Sequence, residues 1–206
     1  MDIIFTKEII GVIGIIVTLI GYAAYIASIY KGNTTPHPFS WFIWATLTAI
    51  GFIAQISDDA GFGAYITGLS ALLSFFITII AYIKREKIVI TRNDWITFWA
   101  ALAAIPLWVV TQTPLWSVIL ITVIDALGFY PTFYKTWFKP YEELGFQYAL
   151  AAIKFVFGIY ALSNFTIITV LYPLSLVIMN GLFLMMMYYR RMQIPKPPTR
   201  SSSLSA

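Results

Sequence analysis

Cysteine is absent from the 206 residues, which removes disulfides, iron–sulfur clusters and thiol nucleophiles from consideration. Histidine occurs once, with no carboxylate or second histidine at ligand spacing, so no transition-metal site is expected. Charge is scarce: Asp, Glu, Lys and Arg make up 11% of the chain, against roughly 25% in a soluble domain. What replaces them is apolar, at 60% of residues and a mean hydropathy of +0.81. That excludes an ordinary soluble domain and indicates an integral membrane protein. Its apolar runs are long enough to span as helices, which satisfy their own backbone in lipid. The net charge of +4 does not indicate nucleic acid, because the basic residues are scattered through short loops and form no single patch.

Seven apolar segments can be drawn: Glu8–Tyr30, Pro38–Ser57, Gly61–Ile83, Asp94–Thr111, Leu115–Phe138, Glu142–Leu162 and Thr166–Tyr189. Each approaches the ~20 residues that a span requires, and the fourth is the shortest and is interrupted by Pro106. The first lacks the basic flank and small-residue cleavage site of a signal peptide. Eleven of the thirteen Lys and Arg fall on one side of this layout: Lys31, Lys84, Arg85, Lys87, Arg92, Lys135, Lys139, Arg190, Arg191, Lys196 and Arg200. Lys7 lies on the other side and Lys154 inside a span. Basic loops stay cytoplasmic, so the expected location is the cell (inner) membrane with the N-terminus outside and the C-terminus in the cytoplasm.

The stretch Thr122–Pro140 holds a carboxylate, Asp125, in an aromatic apolar run, followed by Pro131. It echoes Thr18–Pro36: Thr18 and Thr122, Ile20 and Ile124, Tyr30 and Tyr134, Lys31 and Lys135, and Pro36 and Pro140 all pair at a spacing of 104 residues. The fold expected from this repeat is all-α, with seven transmembrane helices arranged as two parallel three-helix bundles. Residues 8–83 and 115–190 form the bundles, and 94–111 form an inversion linker helix between them (3+1+3). Residues 193–206, rich in proline and serine, are expected to be a disordered cytoplasmic tail.

Pro131-Thr132-Phe133-Tyr134-Lys135 resembles the Pro-Gln turn of the PQ-loop superfamily, with threonine in place of glutamine; the equivalent in the first repeat is Ala27-Ser28. Pro36-His37-Pro38-Phe39-Ser40-Trp41-Phe42-Ile43-Trp44 resembles the Ser-Trp start of the second span in bacterial members. The superfamily includes the SWEET sugar transporters, their half-size relatives, vitamin-precursor carriers and lysosomal amino-acid exporters. The resemblance covers nearly the whole chain in architecture but few residues in motif. It implies facilitative or proton-linked transport of a small polar solute.

Counted from the cytoplasmic end at ~1.5 Å per residue, Asp125, Lys154 and Asn180 lie roughly 14–20 Å deep, near the middle of a ~30 Å hydrocarbon layer. Thr48 and Ser74 fall at the same depth. Charges there are expensive unless paired or hydrated, which makes Asp125 and Lys154 natural partners. Two readings stand: an ion pair that only holds helices in register, or a transport path lined by at least one of the two. On the path, Asp125 suits a cationic or hydroxyl-bearing solute or a transported proton, and Lys154 suits a carboxylate or phosphate. A retinal Schiff base is set aside because the last span has no lysine, and no cofactor is expected.

Trp41, Trp44, Tyr25, Phe129, Tyr130 and Tyr148 gather near the same spans, and aromatic faces stack on sugar rings and heterocycles. Trp41 reads as interfacial belt, while Trp44 pairs with Tyr148 at the repeat spacing and is split between core and site. Trp95, Trp99, Trp108 and Trp116 read as belt or lipid-facing. Pro131 and Pro173 are candidate hinges, and Gly11, Gly14, Gly61, Gly63 and Gly68 suit close helix packing. Asp58 and Asp59 read as a solvated outer turn before a cation vestibule, and His37 as a loop residue at the inner mouth.

The leading function is a secondary transporter of a sugar, amino acid or vitamin precursor by alternating access. Its partners are the solute, the bilayer and, for a coupled mechanism, protons; nucleic acid is excluded and a homo-oligomer is left open. The alternative is a receptor or chaperone on the same scaffold without transport. An enzyme is not expected, since neither a nucleophile–base pair nor paired carboxylates occur.

Overall fold

The computed structural model describes residues 3–32, 34, 36, 38–84, 92–141 and 143–195. Its described elements are eight helices: α1 (Ile3–Tyr30), α2 (Pro38–Ser57), α3 (Phe62–Ile83), α4 (Arg92–Leu102), α5 (Ala104–Thr111), α6 (Pro114–Phe138), α7 (Gly145–Tyr160) and α8 (Ile167–Gln193). Five of them, α1, α2, α3, α6 and α8, contain stretches long and apolar enough to cross a membrane, and α7 is a shorter apolar helix. The protein is an all-helical, multi-span membrane protein.

Seven spans in a 3+1+3 arrangement are not what forms. The fourth segment is two short helices. Pro106 has no N–H to offer the carbonyl of residue 102, and α4 ends there at Leu102 before α5 begins at Ala104. The sixth segment shrinks to the 16 residues of α7, about 24 Å long, because the chain on either side is taken into loop contacts. Nor do the first and last three long helices close into separate bundles. α1, α3 and α7 all pack on one another, as do α2, α6 and α8, and the two triads meet where α2 packs on α3 and α7 on α8. Each triad therefore mixes the two ends of the chain. α5 lies on α6, and α4 on α2 and α6.

Small residues explain how α1 enters its triad. Ile9, Val12, Ile13, Ile16, Leu19 and Ile20 form an exposed stripe suited to lipid. On the other face, Gly11 approaches Phe62 and Ala161, Gly14 approaches Ile66 and Phe157, and Gly21 approaches Leu150. Without a hydrophobic drive between helices in lipid, such close approach supplies the packing. The approach least able to give is Gly63 against the end of α7 and the turn after it, where a Cβ would meet backbone: the Gly158 carbonyl and Leu162 N at 2.9 Å, besides Leu162 Cδ2 at 2.7 Å.

Trp95, Trp99 and Trp116 are exposed, in line with the belt or lipid-facing reading; the side chain of Trp108 is outside the described set. Of the expected disordered tail, 193–206, position 193 is still helical, Ile194 caps the helix, and 196–206 lie outside the described residues. His37, Arg85, Lys87, Lys196 and Arg200 lie outside them as well.

Two glycine substitutions test this packing in opposite directions. Gly63→Ala is expected to destabilise by about 1–3 kcal/mol, because backbone must move to admit the methyl. Gly128→Ala, whose Cβ would meet nothing within 4 Å, is expected to be neutral or to stabilise by up to about 1 kcal/mol through helix propensity. Melting curves of the detergent-purified chain would show the first falling below wild type and the second level with it or above.

Candidate functional site

Between the two ends of the bundle runs a layer of buried polar side chains: Thr18, Tyr22, Thr48, Thr67, Ser70, Ser74, Asp125, Lys154, Tyr172 and Asn180. Three of them are satisfied locally. Thr18 Oγ1 donates to the Gly14 carbonyl at 2.7 Å, Ser70 Oγ to Ile66 at 2.7 Å, and Asn180 Nδ2 to Leu176 at 2.7 Å. These back-bonds to the preceding turn keep a polar group quiet inside lipid.

The two charged groups behave differently. Lys154 on α7 is 5% exposed, and its Nζ donates to Ser70 Oγ on α3 at 2.9 Å. The same nitrogen lies 4.6 Å from the ring centre of Tyr22 on α1 and 4.7 Å from that of Phe155. Tyr22 is fixed in turn, its hydroxyl donating to the Ser70 carbonyl at 3.0 Å and sitting 2.7 Å from Ser74 Oγ. Asp125 on α6 is 2% exposed, and its Oδ2 has no hydrogen-bond partner among the described residues. It lies within electrostatic reach of Tyr172 on α8, whose hydroxyl is 3.2 Å from Thr48 Oγ1 on α2. The expected Asp125–Lys154 ion pair is therefore not made: Lys154 is taken by the α1–α3 side, and Asp125 faces the α2–α8 side.

The two groups nonetheless share one centre. Ile124 and Phe155, their chain neighbours, belong to the same apolar cluster as Leu47, Ile121, Tyr172 and Leu176. Gly51 makes room for Tyr172 there, since a Cβ would come within 2.6 Å of its ring and 3.4 Å of Ile121.

The predicted aromatics form a belt at the end of the bundle that carries Lys31 and Arg191. Tyr25 packs on Trp41 at 4.9 Å between ring centres, Trp41 on Trp44 at 5.5 Å, and Trp44 on Phe129 at 6.4 Å. From Phe129 the chain continues through Phe133 and Phe183 to Tyr148. The Tyr148 hydroxyl donates to Glu143 at 3.1 Å, and Arg191 Nη2 holds the Glu143 carbonyl at 2.9 Å. Trp41, expected in the interfacial belt, stands in this row at the Lys31 end but is buried there, its Nε1 donating to Tyr25 at 3.3 Å. At the other end the α2–α3 and α7–α8 turns clasp each other. Ser163 N donates to Ala60 at 2.8 Å, Gly63 N to Ala161 at 3.2 Å, and Asn164 Nδ2 to the Asp58 carbonyl at 3.1 Å. Thr166 Oγ1 donates to the Asp58 carboxylate, so Asp58 is a clasp residue. Gly61 (φ 66°) sits in this turn with Ser163 against its Cα, a place only glycine fills without strain.

Of the two candidate hinges, Pro173 is buried within α8. Having no N–H, it frees the carbonyl of Thr169, and Gln55 Nε2 on α2 takes that carbonyl at 2.9 Å. α6 is helical through position 131, and the side chains of Tyr130, Pro131 and Lys135 are outside the described set.

Ser74 and Lys154 thus meet at Tyr22, and Thr48 at Tyr172 within electrostatic reach of Asp125, whereas Asn180 is bonded back to its own helix; Tyr25, Trp44, Phe129 and Tyr148 belong to the belt. Sequence reasoning missed Tyr22, Ser70, Tyr172 and Gln55. A serine pair one turn apart (Ser70, Ser74) and a glutamine inside an apolar helix were the available signals. Comparison with family models, with curated proteins and with solved structures returns no match for this chain.

The Gln55 contact predicts a coupling. Gln55→Leu is expected to lower stability by about 1–3 kcal/mol, the cost of orphaning a buried carbonyl. In a Pro173→Ala background, where the helix regains its own bond, the same change is expected to lose most of that effect. A double-mutant cycle on thermal stability measures the difference, and equal losses in both backgrounds would refute the pairing.

Proposed function

We propose that this chain is a secondary transporter, facilitative or proton-linked, of a small polar solute such as a sugar, amino acid or vitamin precursor. The observation that carries the reading is the Asp125 carboxylate: deep in the bundle, with one oxygen unpartnered among the described residues, in one layer with a lysine that does not neutralise it. A membrane protein retains such a group where a ligand or ion completes it. Closure of both ends, by the Asp58–Thr166 clasp and by the aromatic belt, supports alternating access about that layer. The PQ-loop-like, SWEET-like motif around Pro131 supports the same reading. Protons are the proposed coupling ion where transport is driven.

The proposed setting is the inner membrane with the N-terminus outside. Lys31, Lys84, Lys139, Arg190 and Arg191 follow or end α1, α3, α6 and α8 at the belt end, which the charge rule assigns to the cytoplasm. The absence of cysteine makes this directly testable. Asp59→Cys, in the exposed clasp turn, is expected to react with an impermeant maleimide on intact cells, and Lys139→Cys only after lysis; the reverse pattern would overturn the orientation.

For function, the purified chain in proteoliposomes is expected to take up at least one labelled member of a panel of sugars, amino acids and vitamin precursors. Asp125→Asn and Lys154→Met are each expected to reduce that uptake about tenfold or more, roughly 1.4 kcal/mol. Uptake untouched by both changes would remove the layer from the path, and saturable binding without flux would instead indicate a receptor.

A further inference from the structure

Asp125 and Lys154 are opposite in charge, both buried, and held apart. Their own attraction would be the simplest way to lower the cost of burying them, since a buried pair is tolerated far better than two single charges. The fold forgoes it. Lys154 is drawn onto Ser70 and the ring of Tyr22, and Asp125 is left beside Tyr172, with one oxygen unpartnered among the described residues. Lys154 and Tyr22 thus stand on the α7 and α1 helices, and Asp125 and Tyr172 on α6 and α8. The residues next to both charges pack into one apolar cluster with Tyr172. The layer therefore has a positive wall on the α1–α3–α7 triad and a negative wall on the α2–α6–α8 triad.

We propose that the solute is a small zwitterion whose cationic group is bound by Asp125 and whose anionic group is bound by Lys154. This rests on the transporter reading and narrows it. Ionised together the two walls sum to zero, so a ligand of zero net charge with two poles answers both, and each pole gains a charge-assisted hydrogen bond. A singly charged solute satisfies one wall and leaves the other buried and uncompensated. A neutral polyol can hydrogen-bond to both walls but neutralises neither. Ser70 Oγ, which donates to the Ile66 carbonyl, already serves as acceptor for Lys154, leaving the lysine two further N–H bonds for the anionic group. The zwitterion also joins the triads, since one pole lies on each.

The test uses the full-length chain, purified in detergent and in proteoliposomes, against matched sets of α-amino acids, their methyl esters (cation only), their N-acetyl derivatives (anion only) and neutral sugars. The expected result is that at least one amino acid raises the melting temperature and is taken up, while its ester and its N-acetyl derivative bind at least tenfold more weakly. Asp125→Asn is then expected to lose discrimination against the N-acetyl derivative selectively, and Lys154→Met to lose it against the ester. Preference for a sugar, or for either singly charged derivative over its parent, would overturn the zwitterion and leave transport standing. Binding of amino acids with this discrimination but without flux would support the zwitterion and overturn transport. If no compound of any set binds or moves, both proposals fall.

Discussion

A polar atom buried in lipid must find its partner within the protein, and the structure is arranged around that constraint. Pro173 shows it most directly. By withholding an N–H it strands one carbonyl in α8, and α2 answers with Gln55, so a helix defect becomes a bond between helices. Thr18, Ser70 and Asn180 follow the constraint more quietly by bonding back to their own helices. Against this background four buried oxygens lack a partner among the described residues, on Gln55, Asp125, Thr136 and Gln147, and of these only the Asp125 oxygen belongs to an ionisable group.

Packing follows from the same absence of water. Apolar side chains gain nothing by leaving lipid for one another, so helices associate where their backbones come close. Gly14 and Gly63 permit that for α1, α3 and α7, and Gly51 lets Tyr172 stand beside α2. The result is two interlocked triads, each drawing helices from both ends of the chain. The two ends of the bundle are closed by different chemistry. Directional hydrogen bonds between turns hold one geometry, whereas ring contacts such as Trp41–Trp44 and Trp44–Phe129 tolerate sliding.

Composition and periodicity were sufficient to read the membrane class and the helical nature of the chain. These are local properties: a run of about twenty apolar residues can span as a helix whatever surrounds it. The same counting overestimated the spans, because it could not weigh what Pro106 does to α4 or how much of segment six the loops would take. Nor could it show that Trp41 would be buried in the aromatic row, since an exposed tryptophan and a buried one have the same neighbours in sequence.

Which residue faces which was decided only in three dimensions. That Lys154 turns to Ser70 and Tyr22, not to Asp125, depends on the rotation of α7 against α1 and α3, which the glycines of those helices set jointly. No spacing along the chain encodes that rotation, because it balances contacts among three helices at once. The amino-acid sequence determined that two charges would lie within apolar helices; the packing determined that they would stand apart.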